Sequence, residues 1–316
     1  MKKLILCIAA LAACLSLFTG CGSSYEISIA EQFGIAYAPL AIMKEQGLLE
    51  KKLPGIQVNW KQFGGPTAIR EAMLSGDVDI GFMGAAPVLV GIDQGMPWRY
   101  VTGISMNEVA IVCEKDYDSL ADFTQQDRIA ILNPACTQHV MLRLMAEKQL
   151  GDATAMDTRC VSLSHPDALQ ALLAETEITA HVSTPPYIGE ELKAGMKVLA
   201  TGDELLGEPL TFITGVSLIQ FHDEHPKEYT AFNEALQESI DYINNNLDEA
   251  VALLAPLYGI SEEDLKEQMT FRGTIYTTQL NGIDALSRAM QRTGFTKGAP
   301  TLEEAAFDNV LLAKGE

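Results

Sequence analysis

Two clusters in this chain carry residue types capable of covalent or metal chemistry. Cys136 and His139 stand three residues apart, one turn on a helix, and pair a nucleophile type with a base type. A thiol at a helix N-terminus can have a lowered pKa. No third residue that would orient the imidazole is evident, so a Cys136/His139 surface enzyme stands only as an alternative. His222-Asp223-Glu224-His225 has the types of a metal site, yet it leads straight into Pro226. A solvated segment capping a helix explains it. Gly-x-Ser-x-Gly, a phosphate-loop lysine motif and Gly-x-Gly-x-x-Gly are all absent from the sequence. The expectation is a non-enzyme with no cofactor and no metal.

A different pattern recurs five times: a strand-like run, a short loop of small residues, then a helix start. It falls at 33–39, 64–67, 84–87, 133–139 and 184–187. A helix N-terminus presents free N–H groups and a partial positive charge. Small residues let ligand oxygens approach that backbone. One such loop is an ordinary βα turn, but five on one chain suit a crevice that binds a polar or anionic group. Thr67, Thr137 and Gln138 offer hydroxyl and amide hydrogen bonds, or else cap their own helices. Phe33, Tyr37 and Tyr187 offer flat faces for an apolar or planar ligand body, or else join the core. His139 is either a ligand donor or a surface histidine.

The elements around these loops alternate. Strands are expected at 25–30, 56–63, 78–83, 98–105, 108–114, 128–132, 160–163, 178–182, 197–200 and 211–219. Helices are expected at 39–51, 68–74, 88–93, 138–149 and 165–174, with Ser164 as an N-cap, and from Tyr187. From Pro226 the chain reads as mainly helical: 226–245, 248–257, a helix capped by Ser261, 279–292, and a last one with the capping box Thr301/Glu304. This is an α/β pattern with two strand-rich units, a return strand at 211–219, and terminal helices. A crevice between two units is a favoured ligand site.

The chain has 316 residues, with 22 Lys+Arg against 42 Asp+Glu and a formal charge of −20. Hydrophobic residues make up 47%, enough for a real core, which argues against disorder. The acidity argues against nucleic acid, since phosphate binding needs a basic face. Lys2, Lys3 and the apolar run 4–18 read as an export signal, too short to span a membrane. The run ends Leu17-Phe18-Thr19-Gly20-Cys21, which resembles a bacterial lipoprotein cleavage site with Cys21 as the lipid-bearing residue. Residues 1–20 would then be signal peptide and 21–25 a tether. Cleavage leaves 20 basic against 42 acidic residues, a charge of −22. Cys113, Cys136 and Cys160 match neither a disulfide framework nor a zinc pattern. Cys136–Cys160 is the one conceivable pair, and buried free thiols are the simpler reading.

Three blocks carry a wider resemblance. Residues 30–50, with Tyr37-Ala38-Pro39-Leu40 and Lys44-Glu45-Gln46-Gly47-Leu48, are similar to the opening of the nitrate/sulfonate/taurine-type periplasmic binding proteins of ABC importers. Gly64-Gly65-Pro66-Thr67 with 72–81, and Gly84-Ala85-Ala86-Pro87, resemble that family's next blocks. Residues 136–139 resemble its second-lobe Ser-x-x-His loop, with Cys136 in place of Ser, and His225-Pro226 with Phe232, Ala235 and Leu236 its C-terminal helical entry. The resemblance implies a two-lobed α/β binding fold of type II, with lobe 1 at 26–107 and 208–316 and lobe 2 at 108–207. It implies first-lobe contacts from Gln32, Phe33, Tyr37, Gly65, Pro66, Thr67, Gly84, Ala85 and Ala86. Second-lobe contacts would be Cys136, Thr137, Gln138, His139, Thr184 and Tyr187. Where the family often has Trp-Asp/Glu-Pro, this chain has Ser183-Thr184-Pro185-Pro186-Tyr187, so no subfamily's ligand transfers directly. The implied role is a monomeric lipoprotein that delivers a small organic anion to an ABC permease and ATPase. Two alternatives remain: a heteroaromatic ligand such as a thiamin pyrimidine precursor or a flavin, and a sensor ectodomain.

Overall fold

The structure, a computed structural model, describes residues 26–114, 117–175 and 178–312. The expected signal peptide, Cys21 and the tether lie outside the described residues. Eleven strands are present among them: β1 Glu26–Glu31, β2 Gln57–Gln62, β3 Ile80–Gly84, β4 Trp98–Met106, β5 Ala110–Cys113, β6 Ile129–Ile131, β7 Cys160–Ser162, β8 Ala180–Ser183, β9 Lys197–Thr201, β10 Ile213–Leu218 and β11 Ile275–Tyr276. They form two separate sheets. The first has the order β11-β4-β10-β3-β1-β2 and the second β7-β6-β8-β5-β9.

In the first sheet β1 runs parallel to both β2 and β3, while β10 lies antiparallel between β3 and β4. The chain therefore leaves this sheet after β4, builds the second, and returns with β10. The sequence of β3, Ile80-Gly81-Phe82-Met83-Gly84, is apolar throughout because the strand is buried on both faces. In the second sheet β6 runs parallel to β7 and β8, and β5 antiparallel to β8 and β9. The chain is thus two-lobed mixed α/β.

The helices follow the strand ends. Pro66–Leu74 starts with Pro at a position where a missing N–H costs nothing. Pro226–Asn245 presents Tyr229, Phe232, Leu236, Ile240 and Ile243 as a buried stripe. Three expectations are corrected. The helix expected at 39–51 is two, Ala38–Glu45 and Leu48–Lys52, because Gly47 sits at φ 57 and ends the first. No loop separates β3 from the next helix, which begins at Ala85 with Pro87 in its first turn. The helix expected from 279 begins at Ile283, since residues 277–281 bond to Ile104, Gly103 and Thr211. Ser164, Ser261 and Thr301 cap as expected.

Candidate functional site

The carboxyl ends of β1, β2 and β3 and of β6 and β8 face one crevice. It contains about 370 Å³ of empty space, part of it open to solvent, and is walled from both sheets by residues including Gln32, Phe33, Tyr37, Pro66, Gly84, Cys136, Thr137, Gln138, His165 and Thr184. Strand ends of parallel sheets are where open α/β folds hold ligands.

Among the helix starts at the crevice, His165–Leu173 has Asp167 in its first turn, while Pro66–Leu74, Ala85–Asp93 and Thr137–Leu150 have no acidic residue there. The N-terminal partial charges of these three are therefore left for something outside the helix. Cys136 is the N-cap of Thr137–Leu150, its Sγ accepting the His139 N–H at 3.4 Å. Burial pushes the Cys136 thiol up, opposing the backbone donors around it.

The two lobes touch directly across the crevice. Thr137 Oγ1 accepts the Ala86 N–H at 3.1 Å, and Asn133 Nδ2 donates to Thr67 Oγ1 at 2.5 Å. Thr67 and Thr137 therefore do not cap their own helices; each hydroxyl serves the opposite lobe. Behind them, Arg143 donates to the Thr293 carbonyl at 2.7 Å and lies 4.0 Å from the centre of the Phe295 ring.

The aromatic residues divide. Phe33 is 39% exposed at the crevice mouth, while Tyr37 is buried and its phenol raised well above the usual range by desolvation and by nearby Glu31. Glu31, at the end of β1, is pushed up to about 7 by burial, with Lys44 opposing. Tyr187 lies outside the crevice lining. It stacks on His165 with centroids 5.3 Å apart and shares with Phe33 a separate groove floored by Leu257 and Ile260.

His139 also lies outside the lining. Its Nδ1 accepts the Ala135 N–H at 3.2 Å and its Nε2 meets Asp157 Oδ1 at 3.0 Å. Its imidazole is thus committed elsewhere and makes no hydrogen bond to the Cys136 thiol, so the nucleophile–base pair is not assembled. Asp157 is held below the usual carboxylate range by bonds from Arg143 and His139, against burial. Gly65, Ala85 and Ala86 sit at the helix starts without lining the crevice, and Thr67 lines a small neighbouring pocket with Asn133. Cys113, Cys136 and Cys160 are all free thiols, so the conceivable Cys136–Cys160 pair does not form. His222 stacks on Phe307 with centroids 4.2 Å apart and pairs with Asp223.

Sequence reasoning missed a buried polar chain behind the crevice wall: His165, His181 and Glu191, joined to Gln138. The sequence does contain the three titratable residues, but they come from a helix, a strand and another helix. Only the fold brings them together.

Solved structures share this fold. The alkanesulfonate-binding protein SsuA from Xanthomonas axonopodis pv. citri, bound to MOPS, superposes with a TM-score of 0.73 at 20% identity, covering 89% of this chain and 96% of that one. The periplasmic nitrate-binding protein NrtA from Synechocystis PCC 6803 superposes with a TM-score of 0.72 at 14% identity, covering 91% and 87%. In sequence, the chain is 28% identical over 265 residues to the taurine-binding periplasmic protein of Escherichia coli (strain K12), covering 81% of this chain and 77% of that protein. It is 24% identical over 170 residues to the putative aliphatic sulfonates-binding protein of the same organism, with 52% of each covered. The NMT1-like family model matches residues 27–255, and the chain belongs to that family.

Proposed function

We propose that this protein is an extracytoplasmic, lipid-anchored solute-binding protein that captures a small organic anion of the sulfonate class and delivers it to an ABC importer. One observation carries the ligand class. In a chain of charge −20, the crevice lining has no Asp or Glu, and three helix starts around it have no acid in their first turn. Such termini bind oxyanions through N–H groups without a cationic side chain. Gln32, Thr137, Gln138 and Thr184 supply the orienting polar groups, Gly84 the close backbone, and Phe33 and Tyr37 the apolar wall. The names of the relatives, taurine-binding and aliphatic sulfonates-binding, point the same way.

The mechanism is closure of lobe 2 (108–207) on lobe 1 (26–107 and 208–316). Ligand bridging both lobes favours the closed state in which Thr137 meets Ala86 and Thr67 meets Asn133, and the permease reads that state. The lipid on Cys21 holds the monomer at the membrane. A second reading, a heteroaromatic ligand, rests on Phe33 and Tyr37 both lining the crevice. A thermal-shift screen separates the two. Stabilisation by taurine or ethanesulfonate and none by pyrimidines or flavins supports the anion; the reverse pattern overturns it.

A further inference from the structure

Gln138, His165, His181 and Glu191 form a continuous buried chain that ends at the crevice. Glu191 Oε1 lies 2.6 Å from His181 Nδ1, His181 Nε2 lies 2.8 Å from His165 Nδ1, and His165 Nε2 lies 3.1 Å from Gln138 Nε2 and 3.4 Å from Thr184 Oγ1. All four side chains are buried, Glu191 completely. His165 and Gln138 line the crevice; Glu191 is remote from it.

Each contact in this chain needs one donor and one acceptor, and a neutral imidazole has one of each. Only two proton arrangements therefore satisfy it. With a proton on Glu191, the carboxyl donates to His181 Nδ1, His181 Nε2–H donates to His165 Nδ1, and His165 Nε2–H points at the crevice wall. Gln138 then turns its amide oxygen to His165 and leaves its NH₂ for a ligand. Without that proton every bond reverses: both imidazoles carry hydrogen on Nδ1, His165 Nε2 accepts from the Gln138 NH₂, and the amide oxygen is left for the ligand. A half-turn of the amide exchanges these orientations.

We propose that Gln138, His165, His181 and Glu191 are a specificity relay, in which one proton held on Glu191 makes the crevice wall a hydrogen-bond donor and its loss makes the wall an acceptor. This rests on the anion reading above and names how that site selects an oxyanion. The environment keeps the proton. Glu191 Oε2 and the neighbouring Ser183 hydroxyl are both buried without a well-formed hydrogen bond, which leaves a carboxylate there poorly satisfied. Burial pushes Glu191 up to about 8, with the Ser183 hydroxyl opposing, and pushes His181 and His165 down, so both imidazoles are neutral.

The groups facing the relay leave Glu191 without a basic ion-pair partner other than His181 among the described residues. From the neighbouring elements these are Tyr187 stacked on His165, the Ser183 hydroxyl beside Glu191, and Gln268 against Gly189. On the same helix Lys193 turns outward to Glu190 and Asp264.

Two readouts on the full chain test this. Ethanesulfonate has no titrating group in the range used. Its Kd is expected to rise about tenfold between pH 7 and pH 9 in the wild type, as the donor form is depleted, and to stay flat in Glu191→Gln. Independently of ligand, ¹⁵N NMR of the wild-type histidines is expected to find His165 protonated on Nε2 at pH 6.5 and on Nδ1 above pH 9. A tautomer switch without ethanesulfonate binding supports the relay and removes the ligand class. The same His165 tautomer at both pH values overturns the relay, whatever binds.

Discussion

Gly84 is the residue through which closure is most directly open to test. Its backbone, at φ −57 and ψ 152, suits any residue, so alanine there adds no backbone strain. A Cβ at this position would lie 2.5 Å from Thr137 Oγ1 and 3.3 Å from Thr137 Cβ. Those atoms belong to the other lobe. In Gly84→Ala the lobes must stay apart by roughly an ångström, or the contact must be compressed at an overpacking cost of about 1–3 kcal/mol. Separation also removes the bond from Ala86 N–H to Thr137 Oγ1, worth about 0.5–1.5 kcal/mol. Either route weakens ligand binding, by about twofold to 150-fold.

The assay is calorimetric titration of the ligand found in the thermal screen, alongside denaturant unfolding of the unliganded protein. Affinity is expected to fall while unliganded stability changes by less than about 0.5 kcal/mol, since the open form contains no clash. Thr137→Ala in the Gly84→Ala background removes the offending hydroxyl and is expected to recover the steric part only. Two results would refute the reasoning: wild-type affinity in Gly84→Ala, or an equal loss of unliganded stability, which would make the contact part of folding rather than of closure.

Two further predictions concern the scaffold. In Gly91→Ala, the new Cβ would lie 2.0 Å from Trp98 Cζ2, a buried ring whose Nε1–H donates to the Val88 carbonyl. Although alanine favours a helix, overpacking outweighs that gain, and denaturant unfolding is expected to register a loss of about 1–3 kcal/mol. Stability is also expected to decline as pH rises from about 6.5 to 8.5. Below that window Glu191 in the folded state keeps a proton the unfolded chain has lost, while His181 lacks one the unfolded chain holds, so the pair cancels. Within it only the raised carboxyls at Glu31, about 7, and Glu191, about 8, still distinguish the states, and their retained protons are lost as pH rises. Thermal midpoints measured across this range in wild type and Glu191→Gln check it; an identical slope in both would remove Glu191 from the account.

The local code of this chain was legible wherever one residue type has one conformational consequence. Pro226 opens a helix whose apolar stripe continues to Asn245, and both ends were readable. Ser164, Ser261 and Thr301 announce their helices because their oxygens accept N–H groups three residues on. The same signal was available and overlooked at Thr201, where the capping box with Glu204 starts the short helix Gly202–Leu206. Tertiary pairing was less legible. Residues 279–281 read as the start of a helix, but they bond instead to Thr211, just before the returning strand of the first sheet. The direction of Thr67 and Thr137 was not legible at all, because a hydroxyl at a helix start looks the same whether it caps its own helix or serves another lobe. The Glu191 relay is the extreme case: its residues carry no motif, and their meaning comes only from being stacked behind one wall.

The net charge and the proposed ligand then stop conflicting once the position of each carboxylate is considered. The helices Leu247–Tyr258, Glu262–Met269 and Leu302–Ala305 place acids in their own first turns, where each neutralises the terminus beside it. Lys193, Lys197 and Lys266 are occupied by acidic partners on the exposed surface. Those carboxylates act through water, and salt screens them within about 8 Å at physiological ionic strength. The helix starts at Pro66, Ala85 and Thr137 act at hydrogen-bond distance, where the surroundings screen far less. They also have no acid in their own first turns. A chain can thus be acidic nearly everywhere and still hold an anion, provided helix starts without first-turn acids are gathered at one crevice.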